Sequence, residues 1–208
     1  MPLTYDTPPA TKPLDLDELK DHLRIGSSTA YDDYLNLCIE ALAEELDVNN
    51  MLQWAFKRQL IEATIVFTLS DFKRKLELPR PPLQSVSSVE YRDKDGTWQT
   101  VATDNYEVNS DADPGFIRFS DDYSFPALLG DEEYPVRITY VAGYSDSEGN
   151  STHLQVPANI RLWGMNVIGD LWQNRKTQIV ARSSAEVVQL VQLMGRLKAP
   201  HNAGRRFG

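Results

Sequence analysis

Three of the chain's twelve prolines fall within four positions, and they divide it in two. The stretch is Leu76 to Tyr91, LELPRPPLQSVSSVEY. It opens on the alternating Leu76, Glu77 and Leu78, which read as a short strand. Pro79, Pro81 and Pro82 follow, and none of them can donate a ladder hydrogen bond. Each also pushes its predecessor towards extended geometry, so Leu78, Arg80 and Pro81 are expected to be held open. The expectation is a stiff extended corner, anchored by Leu83, from which Val86, Val89 and Tyr91 lead into a new strand. Before the corner the pattern is mainly helical, and for about fifty residues after it the pattern is strand and turn. An α+β chain follows: a small helical core, an inserted antiparallel β region, and an extended C-terminal helix and tail.

Before the corner, residues 1–13 carry Pro2, Pro8, Pro9 and Pro13 and read as an extended arm pinned by Leu3 and Tyr5. Asp15 with Glu18 three positions on is a capping box. The helix it starts carries Leu16, Leu19, Leu23 and Ile25, and Gly26 is expected to end it. A second helix begins after Ser27, Ser28 or Thr29 and runs to about Val48. Tyr31, Leu35, Cys38, Ile39, Leu42 and Leu46 share one face of it, with Asp33, Asn36, Glu40, Glu44 and Asp47 opposite. That acidic stripe reads either as a solvated face or as a negatively charged lining. Met51, Leu52, Trp54 and Phe56 look like core. Residues 57–69 fit helix or strand, and the β-branched run from Thr64 to Thr68 favours strand.

After the corner, strands are expected at Val86–Arg92, Thr97–Val101, Tyr106–Asn109, Phe116–Phe119 and Val136–Val141. Asp93-Lys94-Asp95-Gly96 is the turn of a hairpin, with glycine where φ must be positive. Asp113-Pro114-Gly115 is another turn. Residues 120–134 are an acidic loop and Ser145–Thr152 a polar one. Pro157 opens a long helix to about Asn174. Ile160, Trp163, Val167 and Leu171 form one apolar face of it, and Met165, Ile168 and Trp172 a second. A helix apolar nearly all round must be buried nearly all round, so the second face meets either another subunit or the β insertion. Ser183 and Glu186 cap a last helix with Val187, Leu190, Val191, Met194 and Leu197 on one stripe. The expected divisions are 1–56 (arm and helices), 57–145 (β insertion), 146–182 (return helix) and 183–208 (C-terminal helix and tail).

Charge separates the ends. The formal net charge is −9, but residues 175–208 hold seven basic side chains against Glu186 alone, a net of +6. The remainder holds 14 basic and 29 acidic residues, a net of −15. Such asymmetry points to different partners for the two parts. A body this acidic does not offer phosphates the positive surface they need. Cys38 is the one cysteine, so no intrachain disulfide forms, which fits a reducing cytoplasm. The N-terminus has prolines and acids where a signal peptide has a basic and then an apolar run. No stretch reaches the roughly 18 apolar residues of a membrane span.

A search for chemistry finds little. His22, His153 and His201 are scattered, and no nucleophile-elbow, phosphate-loop or dinucleotide-binding pattern is present. Asp121-Asp122 and Asp131-Glu132-Glu133 lack the spacing of a cation loop. No catalytic residue, metal or cofactor is expected.

Four stretches carry a resemblance: TPPATKPLDLDELKDHLRI, ELPRPPLQSVSSVEYRDKDGTWQ, YPVRITYVAGY and VPANIRLWGMNVIGDLWQNR. In their order, from Thr7 to Arg175, the chain resembles the head–tail connector (adaptor) proteins of long-tailed bacteriophages and gene transfer agents. Residues 50–75 are longer and more charged than that pattern, and the tail beyond Lys176 matches it weakly. The resemblance implies a structural, non-enzymatic virion protein of the neck, assembled in the host cytoplasm. It implies a ring, typically twelvefold, beneath the portal protein. Such a ring extends the channel through which double-stranded DNA passes without specific binding, and gives a stopper or tail protein its platform. No membrane is involved.

Within that frame, Asp33, Glu40, Glu44 and Asp47 become candidates for the channel lining, and Met165, Ile168 and Trp172 for a subunit interface. Val187, Leu190, Val191, Met194, Leu197, Arg196, Lys198, Arg205, Arg206 and Phe207 become candidates for docking to the portal. The competing readings are a monomeric β-rich binding module and another neck or tail completion protein.

Overall fold

In a computed structural model the described residues are 2–10, 12–46, 58–144 and 156–173. The chain divides into two compact units, Met1–Thr11 with Arg58–Val156, and Lys12–Lys57 with Pro157–Gly208. The first is β and the second helical, so the α+β reading with an inserted antiparallel β region holds.

The β unit is built on two runs of strict alternation. In β2 (Ala63–Leu69) and β8 (Val136–Ala142) every second residue is buried. The two strands pair antiparallel with Ile65 opposite Tyr140, Phe67 opposite Ile138 and Leu69 opposite Val136, so their inward side chains coincide. On the other side of β8 lies β4 (Leu83–Arg92), which starts three residues earlier than expected and shifts register twice. β5 (Trp98–Thr100) completes that edge, and β1 (Leu3–Thr7) forms the opposite one, giving the order β1-β2-β8-β4-β5. A second sheet, β3-β7-β6, consists of β3 (Lys75–Glu77), β6 (Tyr106–Asn109) and β7 (Phe116–Phe119). Leu76, Ile117 and Phe119 from this sheet join Ile65, Val89, Ile138 and Tyr140 from the first in one core.

The N-terminal arm is extended and pinned at Leu3 and Tyr5, as its sequence suggests. It is an edge strand, with Leu3 opposite Phe67 and Tyr5 opposite Ile65. The Tyr5 hydroxyl donates to Gln59 Oε1 at 3.2 Å. Its residues therefore belong with the β unit.

The proline corner is also tighter than local preference alone predicts. Arg80 is buried at φ 64°, and the Pro81–Pro82 peptide is cis. Prolines that cannot donate still accept. The Tyr140 hydroxyl donates to the Pro79 carbonyl at 2.6 Å, Gln59 N–H to that of Pro81 at 3.1 Å, and Gly143 N–H to that of Pro82 at 3.0 Å. These tertiary bonds hold Arg80 out of the extended region that Pro81 favours.

The hairpin after β4 turns on Asp93, whose carboxylate accepts from Asp95 N–H, Thr97 N–H and Gln99 Nε2 at 2.9–3.0 Å. Gly96 takes the positive φ of 79°. The acidic loop 120–134 is packed down: Phe125 stacks on Phe72, the Arg74 guanidinium lies over Phe125, and Glu132 pairs with Arg92 at 3.0 Å.

In the helical unit, α1 (Leu16–Leu23) is capped by Asp15, whose Oδ1 accepts from Asp17 N–H and Glu18 N–H at 2.8 and 2.9 Å. It ends one turn before Gly26 is used. Arg24 takes the left-handed cap position at φ 57°, and Ile25 N–H closes onto Lys20 O. α2 (Asp32–Leu46) buries Leu35, Cys38, Ile39 and Leu42. α3 (Ala158–Gln173) follows Pro157, whose carbonyl accepts from Ile160 and Arg161 N–H.

Two ion pairs tie the three helices. Arg161 grips both oxygens of Glu18 at 3.0 and 3.1 Å, and the buried Lys20 meets Asp32 at 2.6 Å. Gly164 brings α3 close: a Cβ there would stand 2.9 Å from Leu42 and 3.0 Å from Leu14.

Candidate interaction surfaces of the helical unit

α2 turns its carboxylates outward because its apolar residues recur every three to four positions on the other side. Asp33, Glu40 and Glu44 are all exposed. Asp47 lies outside the described residues. The stripe is not purely acidic. Leu37, four residues after Asp33 and three before Glu40, lies in its middle and is 61% exposed. Glu40 is already engaged: Lys12 Nζ reaches its Oε1 at 2.9 Å and Asn36 Oδ1 at 3.0 Å.

On α3 the expected second face is already enclosed. Met165 is 8% exposed and Ile168 is fully buried, so neither has much surface left for a neighbouring subunit. Trp172 is half-buried. It meets Tyr31 edge-on, with ring centroids 4.9 Å apart, and lies tilted against Tyr34 at 6.1 Å. The large apolar side chains that α3 leaves most exposed are Leu162, 51% exposed, and Leu171, 49% exposed. On the same helix Arg161 turns to Glu18, and Leu162 stands outward beside exposed Asn166.

Every residue proposed for portal docking, Val187, Leu190, Val191, Met194, Arg196, Leu197, Lys198, Arg205, Arg206 and Phe207, lies outside the described residues.

Elsewhere the titratable groups are used for structure. Among the described residues no three His, Cys, Asp or Glu side chains gather as metal ligands, and no helix is long and apolar enough to cross a membrane. Asp121 faces Arg118 at 3.6 Å, and Cys38 is buried. The hydrogen bond from Gln99, followed by that from Thr97 N–H, holds the Asp93 carboxyl below the ordinary 3.8. Burial pushes the Tyr140 phenol well above its ordinary value.

No protein-family model matches the sequence, and no curated protein matches it. Solved structures do. A chain from the neck of an empty gene transfer agent (GTA) particle, computed with C6 symmetry, superposes with a TM-score of 0.69. The identity is 18%, and the match covers 99% of this chain and 100% of that one. This is the fold of a GTA neck protein. A chain from the virion of a native GTA particle gives 0.64 at 18% identity, covering 99% of each chain. A chain from the neck of a native GTA particle, computed with C12 symmetry, gives 0.64 at 19% identity, covering 99% of this chain and 100% of that one. The neck-protein fold therefore accounts for helical and β units together rather than for one of them.

Three surface and packing residues escape a reading by periodicity. Leu37 breaks an otherwise polar face, and a single apolar residue there carries no period. Gly164 is a poor helix former in an apolar run, which is itself the signal of a close approach. Lys12 precedes its helix and gives no local hint that it will reach Glu40.

Proposed function

We propose that this chain is a structural protein of the neck of a phage-like particle, a head–tail connector (adaptor). In this reading it forms a ring, twelvefold, beneath the portal protein, lengthens the DNA channel, and presents a platform to a stopper or tail protein. It resides in the virion neck, is assembled in the host cytoplasm, and carries out no reaction. The observation that carries the reading is the end-to-end correspondence of fold with GTA neck proteins.

The charge balance supports it. A net charge of −9 suits a protein past which DNA must slide, because phosphate-binding lysines would hold the duplex by counterion release. Neighbouring subunits in the ring would meet through Trp172 and the outward Leu162 and Leu171, the apolar surface that α3 still exposes. The stripe Val187, Leu190, Val191, Met194 and Leu197, with Arg196 and Lys198, would dock on the portal. One apolar stripe is too little to hold a helix alone, and burial on a partner supplies what is missing.

Deleting the gene in the producing cell tests the role. Heads that fill with DNA but carry no tails are the expected product, and the chain should be found in wild-type particles by mass spectrometry. Tailed particles in normal number without it would refute the proposal.

A further inference from the structure

We infer that the outer edge of β6 receives an extended basic segment of another virion protein, which adds a fourth strand to the sheet β3-β7-β6. The inference rests on the neck reading only for the source of that segment; the edge itself is a property of the β unit.

The ladder decides which way the backbone of β6 points. On β7, Phe119 N–H donates to Arg74 O, on the β3 side, whereas Ser120 N–H donates to Asn105 O, on the β6 side. Backbone groups alternate in this way along an antiparallel strand. Phe119 and Ile117 therefore bond towards β3, and on their other side stand Tyr106 and Val108. Tyr106 and Val108 must turn their own N–H and C=O away from β7. The Tyr106 N–H closes back on Thr103 O. The Tyr106 carbonyl and both polar groups of Val108 have no hydrogen-bond partner among the described residues. These are the groups an added strand pairs with.

Side chains fix the chemistry of the strand that fits. Val108 and Tyr106 share a face with their opposites Ile117 and Phe119, both fully buried. Tyr106 is 8% exposed but Val108 42%, because the core ends at this edge. An apolar residue set beside Val108 would continue the core outward. On the other face Glu107 is exposed, and Asp104 and Asp111 stand exposed before and after the strand. None of these three carboxylates has an ion pair among the described residues, since Arg118, opposite Glu107, turns to Asp121 at 3.6 Å. They call for lysine or arginine at alternate positions of the incoming strand. They also disfavour β6 of a second copy, which would bring the same carboxylates together.

The isotopically labelled full chain is titrated by NMR with an acetylated, amidated heptapeptide that has lysine at odd positions and Thr-Val-Thr at even ones. Binding at about millimolar strength or better is expected, with the Val108 amide shifted and its hydrogen exchange slowed. Val108→Pro removes the outward donor without breaking a ladder bond, as an edge position allows, and should weaken binding about tenfold or more. E107K/D111K should weaken it too, and a peptide with glutamate in place of lysine should bind that variant better than the wild type. The substituted side chains are exposed, and circular dichroism checks that the variants fold. In producing cells, a photo-reactive phenylalanine at the exposed position 110 then identifies the natural strand. Support is a cross-link to another virion protein, within a segment carrying lysine or arginine at alternate positions, that disappears with Val108→Pro. No cross-link, cross-links only to this chain, cross-links that survive Val108→Pro, or peptide binding that is absent or equal on Val108→Pro would overturn the inference. Tail-less heads on gene deletion, with no such cross-link, would refute the strand pairing alone and leave the neck role intact.

Discussion

At the scale of single residues, the backbone around the corner leaves little room. Gly143 has φ +116°, and a Cβ there would stand 2.5 Å from the carbonyl oxygen of Ile61 and 2.7 Å from Glu62 N. Those are backbone atoms held by the Glu62 N–H to Tyr144 bond, so they cannot rotate away. Gly143→Ala is expected to cost roughly 2–4 kcal/mol, from a strained conformation and an overpacked contact together. Urea unfolding of the full chain reads it as a lower midpoint with unchanged slope. Asp93 makes a different prediction. Its lowered carboxyl pKa means that the stabilisation is present above the unfolded value and lost as pH falls through the lower folded one. An NMR titration should place the Asp93 midpoint below 3.8, and Gln99→Leu, which removes the leading hydrogen bond, should raise it. A midpoint unmoved by that substitution would mean that Gln99 does not set it.

At the scale of elements, the sequence was legible where the physics is local. Asp15 caps α1 because its side chain reaches only two and three residues on. VRITYV alternates because β8 has an inside and an outside. Asp93 to Gly96 spells a turn that the chain makes. What stayed hidden is the product of distance in sequence. Leu3–Thr7 is read as an arm until β2, some sixty residues on, supplies its partner. Arg80 leaves the extended region because Tyr140, Gln59 and Gly143 claim the carbonyls around it. Arg24 ends α1 before Gly26, since closing the helix onto Lys20 and Asp21 needs a left-handed residue there, and arginine fills it. The candidate surfaces were legible as an acidic stripe and an over-apolar helix, but which apolar residues remain outside depends on packing. That distinction is testable on α3. Ile168→Ala empties a fully buried site and should cost about 2–4 kcal/mol. Leu162→Ser should change stability by no more than about 0.5 kcal/mol, yet reduce ring formation measured by native mass spectrometry. Equal losses of stability would contradict the division into buried and outward faces.

At the scale of the whole molecule, body and tail carry opposite charge, and the separation of their roles is the strongest consequence. If the C-terminal segment is a docking element, as proposed, removing 183–208 leaves the urea midpoint of the body close to that of the full chain. The same deletion should abolish capture by purified portal rings, because it removes both the apolar stripe and Arg196 and Lys198. Capture of the full chain should weaken as salt rises past about 0.1 M, where the screening length shrinks to about 10 Å. A shorter deletion, 199–208, takes away Arg205, Arg206 and Phe207 but spares Val187 to Leu197. If the stripe makes the portal contact, this deletion keeps capture by the portal. Loss of portal capture with 199–208 alone would instead assign the last ten residues to the portal. A body that unfolds when 183–208 is removed would show that the C-terminal helix is part of the core rather than a docking element.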